Sequence, residues 1–335
     1  MKSIDFLTID QAIRLLLKDQ IVAVPTETVY GLFGLANSLE AVQNVYKIKN
    51  RPADNPLICH FYSLEQILEY VETPPEYILK MIEFVGAAPL TYVLKLKPNS
   101  TLLPACAGLK TICCRIPNNK IALELLQSIN IPLFGPSANT STKVSGVTPK
   151  MIIQDLEGKI AGIIDGGQSN IGLESTIVDT LKIYKIKILR PGLIGKIEID
   201  NYLEQINFGN VKVTENQKSQ TTTPGSKYRH YSPKTNIYLE SEDHNSILEL
   251  TKKTICKIGL SEFQKYTNGY LSLGSKDDLL RVSADFYYNL YMLDQHKIES
   301  CIFDLQSYNF IKRSDLSIAK ALFNRLEKVL AIIKL

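Results

Sequence analysis

IVAVPTETVYGL, residues 21–32, begins as four apolar residues and at Pro25 changes into a run of hydroxyl, carboxylate and phenol groups. A short apolar run closed by proline reads as a buried strand. Open α/β sheets bind ligands beyond the carboxyl ends of their strands, so Thr26, Glu27, Thr28 and Tyr30 are released where a ligand could sit. The same Thr and Glu could equally cap a following helix, and the stretch alone leaves both readings open.

Working outward, Thr8 and Gln11 form a capping-box pattern, followed by Ile9, Ala12, Ile13 and Leu16 at helical spacing. After the strand, Leu39, Val42, Val45 and Tyr46 mark a second helical face. Strand candidates recur at PLICHF (56–61), TYVLKLK (91–97), TICCRI (111–116), IAGIID (160–165), STIVD and KIKILR, with helical SLEQILEYV, PEYILKMIEFV and KIALELLQSI between them. Residues 1–205 therefore read as one α/β domain with a large twisted sheet. Residues 206–235 are polar and aperiodic, and read as a linker. Residues 236–335 return to alternation, with NIYLES, KIGLS, YLSLG and CIFDLQ as strands and SADFYYNLYMLDQ and LSIAKALFNRLEKVLAII as helices, giving a smaller α/β domain.

A chain of 335 residues exceeds what one core usually organises, in keeping with two domains. With 45% apolar residues and a mean hydropathy near zero it is neither disordered nor membrane-spanning. The first helix carries Asp5, Asp10 and Lys18 in and around its apolar residues, unlike a signal peptide, so a cytoplasmic location is expected. Six cysteines without paired CxxC spacing read as reduced and mostly buried, and four histidines without ligand spacing make no zinc site. A net charge of +4 is small for a dedicated nucleic-acid binder, although a local basic patch leaves room for a weak tRNA contact.

Two further stretches carry chemistry. In KIKNRPADNPLICH (47–60), Lys49 and Arg51 lie two apart in what reads as extended chain before Pro52, and so on one side of it. Arg can fork across phosphate oxygens while Lys acts as a point charge, although a bare KxR is more often a solvated basic turn. In GPSANTSTKVSGVT (135–148), Ser137 and Asn139 share that spacing after apolar IPLF, and Ser145 or Thr148 could begin the next helix. Gly135 to Ala138 also open a GxSxG-like nucleophile elbow, with Asn139 replacing the closing glycine. That leaves a serine hydrolase as one alternative and a double-stranded RNA or tRNA binding module as another. Neither GxxxxGK[ST] nor GxGxxG is present, so any ATP site is unconventional.

With PTETVYGL, the Lys49/Arg51 pair and the Ser137/Asn139 pair in this order, residues 10–200 resemble the YrdC-like domain of threonylcarbamoyl-AMP synthases. CRIP (114–117), LESTIVD (173–179) and ILRPG (188–192) extend the resemblance. PGSKYRHYSP (224–233) resembles the segment that leads to a Rossmann-like second domain in the longer members, and ALFNRLEKV (321–329) resembles that domain's closing helix. The chain departs from the family pattern at VGAAPLT (85–91) and at Ser226, where a methionine is common.

The resemblance implies a large YrdC-like mixed sheet with helices and a smaller Rossmann-like domain. It implies synthesis of threonylcarbamoyl-AMP from L-threonine, bicarbonate and ATP with magnesium, and separate proteins for transfer to tRNA. By position it implies that Thr28, His60, Arg115, Ser137 and Ser175 hold threonine or its carbamate, with Arg115 opposite the carboxylate. Arg51, Asn55, Thr111, Asn139, Ser145, Arg190 and Tyr231 would contact ATP, and Lys49, Arg51, Ser137 and Asn139 would serve catalysis. No protein-ligated metal is expected. Lys227 to Tyr231 combine charge and aromatic faces suited to a lid over the nucleotide.

Overall fold

The computed structural model describes residues 4–215, 233–240, 256–263 and 270–330. Most of the linker, including Tyr231 and the expected lid, lies outside the described residues. The first domain's strands are β1 (Val22–Val24), β2 (Gly31–Leu35), β3 (Ile58–His60), β4 (Leu90–Lys95), β5 (Thr111–Arg115), β6 (Leu133–Phe134), β7 (Gly162–Ile163), β8 (Thr176–Lys182), β9 (Lys185–Arg190) and β10 (Lys212–Glu215). Its helices are α1 (Ile9–Leu16), α2 (Leu39–Lys49), α3 (Leu64–Tyr70), α4 (Glu76–Val85), α5 (Lys120–Ile129), α6 (Pro149–Leu156) and α7 (Lys196–Gln205).

Among the described residues these strands form one mixed sheet, ordered β10-β9-β8-β4-β5-β3-β6-β2-β1-β7. β1 lies next to the edge strand β7, but helices cover both of its faces, which accounts for its unbroken apolar run. Val22, Val24 and Phe33 pack with α1 and α5 on one side, while Ala23 and Leu32 pack with α2 on the other. The capping box at Thr8 is present, with both reciprocal hydrogen bonds. Cys113 and Cys114 point to opposite faces of β5, into separate apolar clusters, and the described cysteines are all free thiols. β10 lies inside the stretch that reads as linker: Lys212–Glu215 pairs in parallel with β9 and extends the sheet.

The second domain has a parallel sheet of β11 (Asn236–Leu239), β12 (Cys256–Gly259), β13 (Tyr270–Ser272) and β14 (Ser300–Phe303), ordered β11-β14-β12-β13. Its helices are α8 (Leu279–Gln295), α9 (Leu305–Arg313) and α10 (Ser317–Val329). CIFDLQ divides at Asp304, whose side chain accepts from the Ser307 amide and caps α9. The two domains share apolar contacts, because Val29, Val147, Met151 and Leu173 join the cluster built by α8 and α10. No helix among the described residues is long and apolar enough to cross a membrane.

Candidate active site

PTETVYGL is not a strand-to-helix crossover but the turn between antiparallel β1 and β2. The next helix, α2, is capped by Ser38, which removes the capping role for Thr26 to Thr28. Thr26 Oγ1 donates to the Val29 carbonyl at 2.6 Å and lies 2.8 Å from Thr28 Oγ1, folding the turn on itself. Thr26, Glu27 and Thr28 are all buried. Arg115, at the end of β5, reaches this turn: its Nη1 donates to Thr28 Oγ1 at 3.0 Å and its Nη2 lies 2.6 Å from Glu27 Oε2. The sequence places Glu27 in this turn but does not reveal its pairing with Arg115. A carboxylate inside an otherwise uncharged, tight turn was the available signal, since a buried acid needs a cationic partner.

Lys49 and Arg51 differ from the extended reading. α2 continues to Lys49 and stops at Asn50, which takes a left-handed conformation at φ 50°. The Lys49 side chain is buried, and its Nζ donates to the carbonyls of Ser137 at 2.5 Å and Asn139 at 2.6 Å. Burial, and then the Arg51 charge, pull its pKa well below the ordinary lysine value, while the two carbonyls favour the ammonium form. Arg51 Nη2 donates to the Pro56 carbonyl at 3.0 Å. Neither residue is a solvated turn charge; both face the cavity.

The Ser137–Asn139 segment continues from β6 along β2. Leu32 N donates to the Pro136 carbonyl, Ala138 N donates to the Tyr30 carbonyl, and Ser137 bridges to Gly31. This pairing places Ser137 beside the Thr26–Thr28 turn. Ser137 Oγ donates to Asn139 Oδ1 at 2.6 Å, and Asn139 Nδ2 donates to the Thr140 and Lys143 carbonyls. No nucleophile elbow forms, because α6 starts only at Pro149 behind the Thr148 cap. Ser145 does not begin that helix either. It lies buried and donates to Glu174 Oε1 at 2.6 Å.

His60 ends β3 against Phe33, with ring centroids 4.8 Å apart. Burial, followed by the nearby Arg115 charge, pushes its pKa well below the usual histidine value, so it is neutral. Its Nδ1 is buried without a hydrogen-bond partner among the described residues. Gly135 is required beside it: a Cβ there would meet Phe33 at 2.8 Å and His60 at 2.9 Å. Ser175 Oγ lies 2.8 Å from Thr91 Oγ1 and accepts from Arg190 Nη2 at 3.1 Å, while Arg190 Nε donates to the Ser175 carbonyl at 3.0 Å.

One cavity thus collects Thr28, Lys49, Arg51, His60, Arg115, Ser137, Asn139, Ser145, Ser175 and Arg190. Four cationic side chains line it with one carboxylate, Glu174; Glu27 is outside the lining, and each of these two carboxylates is paired with an arginine. Hydroxyl, amide and cationic donors therefore dominate the wall, as an anionic ligand requires. Asn55 and Thr111 do not line the cavity. Asn55 is buried with both side-chain amide atoms lacking a partner among the described residues, and Thr111 opens β5 opposite Lys95.

Two family models cover nearly the whole chain. One, described as telomere recombination, matches residues 14–192, and the threonylcarbamoyl-AMP synthase C-terminal domain matches 194–329. The threonylcarbamoyl-AMP synthase of Bacillus subtilis is 32% identical over 328 residues, covering 96% of this chain and 92% of that protein. The chain belongs to the threonylcarbamoyl-AMP synthase family. The Pyrococcus abyssi synthase is 36% identical over 240 residues, covering 71% of this chain and 69% of that protein. The solved structure of P. abyssi Sua5 complexed with L-threonine superposes with a TM-score of 0.81 at 29% identity, covering 96% of this chain and 93% of that one. This synthase-family chain is accordingly an enzyme of the nucleotidyltransferase type, and its two-domain architecture is that of Sua5.

Proposed function

We propose that the cavity binds L-threonine and ATP side by side and makes threonylcarbamoyl-AMP. The threonine amine adds to bicarbonate-derived carbon to give a carbamate, with loss of water. A carbamate oxygen then attacks the α-phosphorus of ATP, and the bond to pyrophosphate breaks. The observation that carries this reading is the meeting of Lys49, Arg51, Arg115 and Arg190 with small hydroxyl and amide donors in one cavity. Such chemistry depends on positioning and charge stabilisation more than on a covalent nucleophile. The likeness to a Sua5 structure holding L-threonine supports the amino-acid side of the reading.

Within it, Thr28, His60, Arg115, Ser137 and Ser175 hold threonine or its carbamate. Arg51, Asn139, Ser145 and Arg190 face ATP, Asn55 and Thr111 would contact the nucleotide from outside the cavity lining, and the proposed contact from Tyr231 falls outside the described residues. Neutral His60 suits a site that must accept a proton-bearing substrate group without adding charge. The donor set does not fit a resident magnesium ion, because Glu27 and Glu174 are each engaged by arginine. Magnesium enters as part of the MgATP substrate. The product would serve tRNA modification in the cytoplasm through separate transfer proteins.

Pyrophosphate release from MgATP, with threonine and bicarbonate omitted in turn, tests the proposal. Release is expected to need both, and to be lost in Lys49→Ala and Arg51→Ala. Release indifferent to threonine and bicarbonate would overturn it. The serine-hydrolase alternative fares poorly, since Ser137 donates to Asn139 rather than to a histidine.

A further inference from the structure

The cavity wall that carries Ser175 is held from behind by the second domain. Arg325, in α10, is 0% exposed. Its Nε donates to Glu174 Oε2 at 3.0 Å, its Nη2 to the Glu174 carbonyl at 3.3 Å, and its Nη1 to the Pro191 carbonyl at 2.7 Å. One guanidinium therefore fixes the residue before Ser175 and the residue after Arg190. Tyr287, in α8, places its hydroxyl 3.3 Å from both Glu174 oxygens. On the cavity side the same carboxylate accepts from Ser145.

The docking around this contact is tight. Ser283 Oγ in α8 donates to the Ile171 carbonyl at 2.7 Å, and Ser317 Oγ in α10 donates to Glu198 at 2.6 Å. Gly172 has φ +74°, and a Cβ there would meet the Ser283 carbonyl oxygen at 2.4 Å; one at Gly195 would meet Ser317 Oγ at 2.1 Å. The segment against which α8 packs is the same one that supplies Glu174 and Ser175.

We propose that Arg325 and Tyr287 are positioning residues for nucleotide binding: they hold Glu174 and Pro191 so that Ser145 and Arg190 face ATP. The second domain is then part of the catalytic pocket's frame, although neither residue touches substrate. This rests on the assignment of Ser145 and Arg190 to the ATP side. Glu174 is faced by Ser145, Lys49 and Arg190 from the first domain and by Tyr287, Arg325 and Lys328 from the second. Burial raises its pKa, but Arg325, then Arg190 and the Ser145 hydroxyl, outweigh it and leave the value at about 2.

The test compares wild type, Arg325→Gln, Arg325→Lys and Tyr287→Phe as full chains. It measures equilibrium ATP binding, KM for ATP and threonine, thermal midpoint and the pH profile of kcat/KM. Loss of a charge-assisted hydrogen-bond set should weaken ATP binding about tenfold or more in Arg325→Gln, with a smaller change for threonine. An acidic limb absent from wild type should also appear as Glu174 loses its partner. Arg325→Lys, which lacks the planar fork, should recover thermal midpoint more than ATP affinity. A folded Arg325→Gln with wild-type ATP affinity and pH profile, whatever its midpoint, would assign the residue to stability alone and overturn the proposal. If Arg325→Gln does not fold, Tyr287→Phe decides, because loss of one hydroxyl should weaken ATP binding roughly threefold and unchanged binding would overturn the inference. A wild type that binds ATP without threonine-dependent turnover would instead refute the synthase reaction, leaving the binding comparison intact.

Discussion

Lys49→Met separates two uses of one cation. If Lys49 acts only as a charge towards substrate, its loss should weaken binding and leave the fold unchanged. The structure argues otherwise, since Nζ joins the end of α2 to the carbonyls of Ser137 and Asn139 at 2.5 and 2.6 Å. Hydrogen bonds to charged groups contribute about 1.5–3 kcal/mol each, and buried acceptors left unpaired cost about as much. Two such bonds give about 3–6 kcal/mol gross, and relief of the ammonium's desolvation offsets part, for a net loss of about 3 kcal/mol. For a domain near 200 residues that corresponds to a midpoint lower by roughly 6–12 °C. Differential scanning calorimetry beside pyrophosphate release measures both effects. We expect a lower midpoint together with at least a hundredfold loss of kcat/KM, about 2.7 kcal/mol, because Ser137 and Asn139 lose their anchor. A midpoint within a degree of wild type would refute the stapling argument even if activity vanished.

Glu27→Gln should lower the thermal midpoint, since breaking a buried ion pair costs about 3–5 kcal/mol, while leaving KM for threonine unchanged or lower because Arg115 loses its competing carboxylate. A tenfold rise in that KM at unchanged stability would contradict this. For His60 the depressed folded pKa means that its stabilising contribution is complete above the unfolded value of about 6.5 and is lost as pH falls from there towards the folded pKa. Between pH 7 and 5 the midpoint of His60→Gln should therefore fall less steeply than that of wild type, and parallel slopes would exclude the effect. Gly135→Ala forces a methyl against His60 and Phe33, so a loss of about 1–3 kcal/mol by overpacking and a higher KM for threonine are expected in urea unfolding and kinetics. Unaltered values for both would show that the rings can yield.

Periodicity made the alternation of strands and helices legible, and IVAV declared a strand buried on both faces. The conformation around Lys49 was not legible, because KIKN before a proline reads as extended chain, whereas α2 runs on until Asn50 turns left-handed. β10 was hidden in polar sequence, as edge strands with one solvated side often are. The PTETVYGL turn was located correctly, but its return into β2 depends on antiparallel pairing that no local pattern encodes. The cavity residues were recognisable by motif. What organises them was not, since Glu27 meets Arg115 across the sheet and Glu174 meets Arg325 over 151 residues of chain.

Gly172 and Gly195 set the distance between the domains at the thickness of bare backbone. Each is a place where a wedge of graded size can be driven in, one methyl group at a time. A ladder from Gly to Ala to Val at residue 195, where no left-handed φ adds strain, would pry the second domain outward in small steps. The enzyme would then report, rung by rung, how much looseness in its outer scaffold the reaction tolerates.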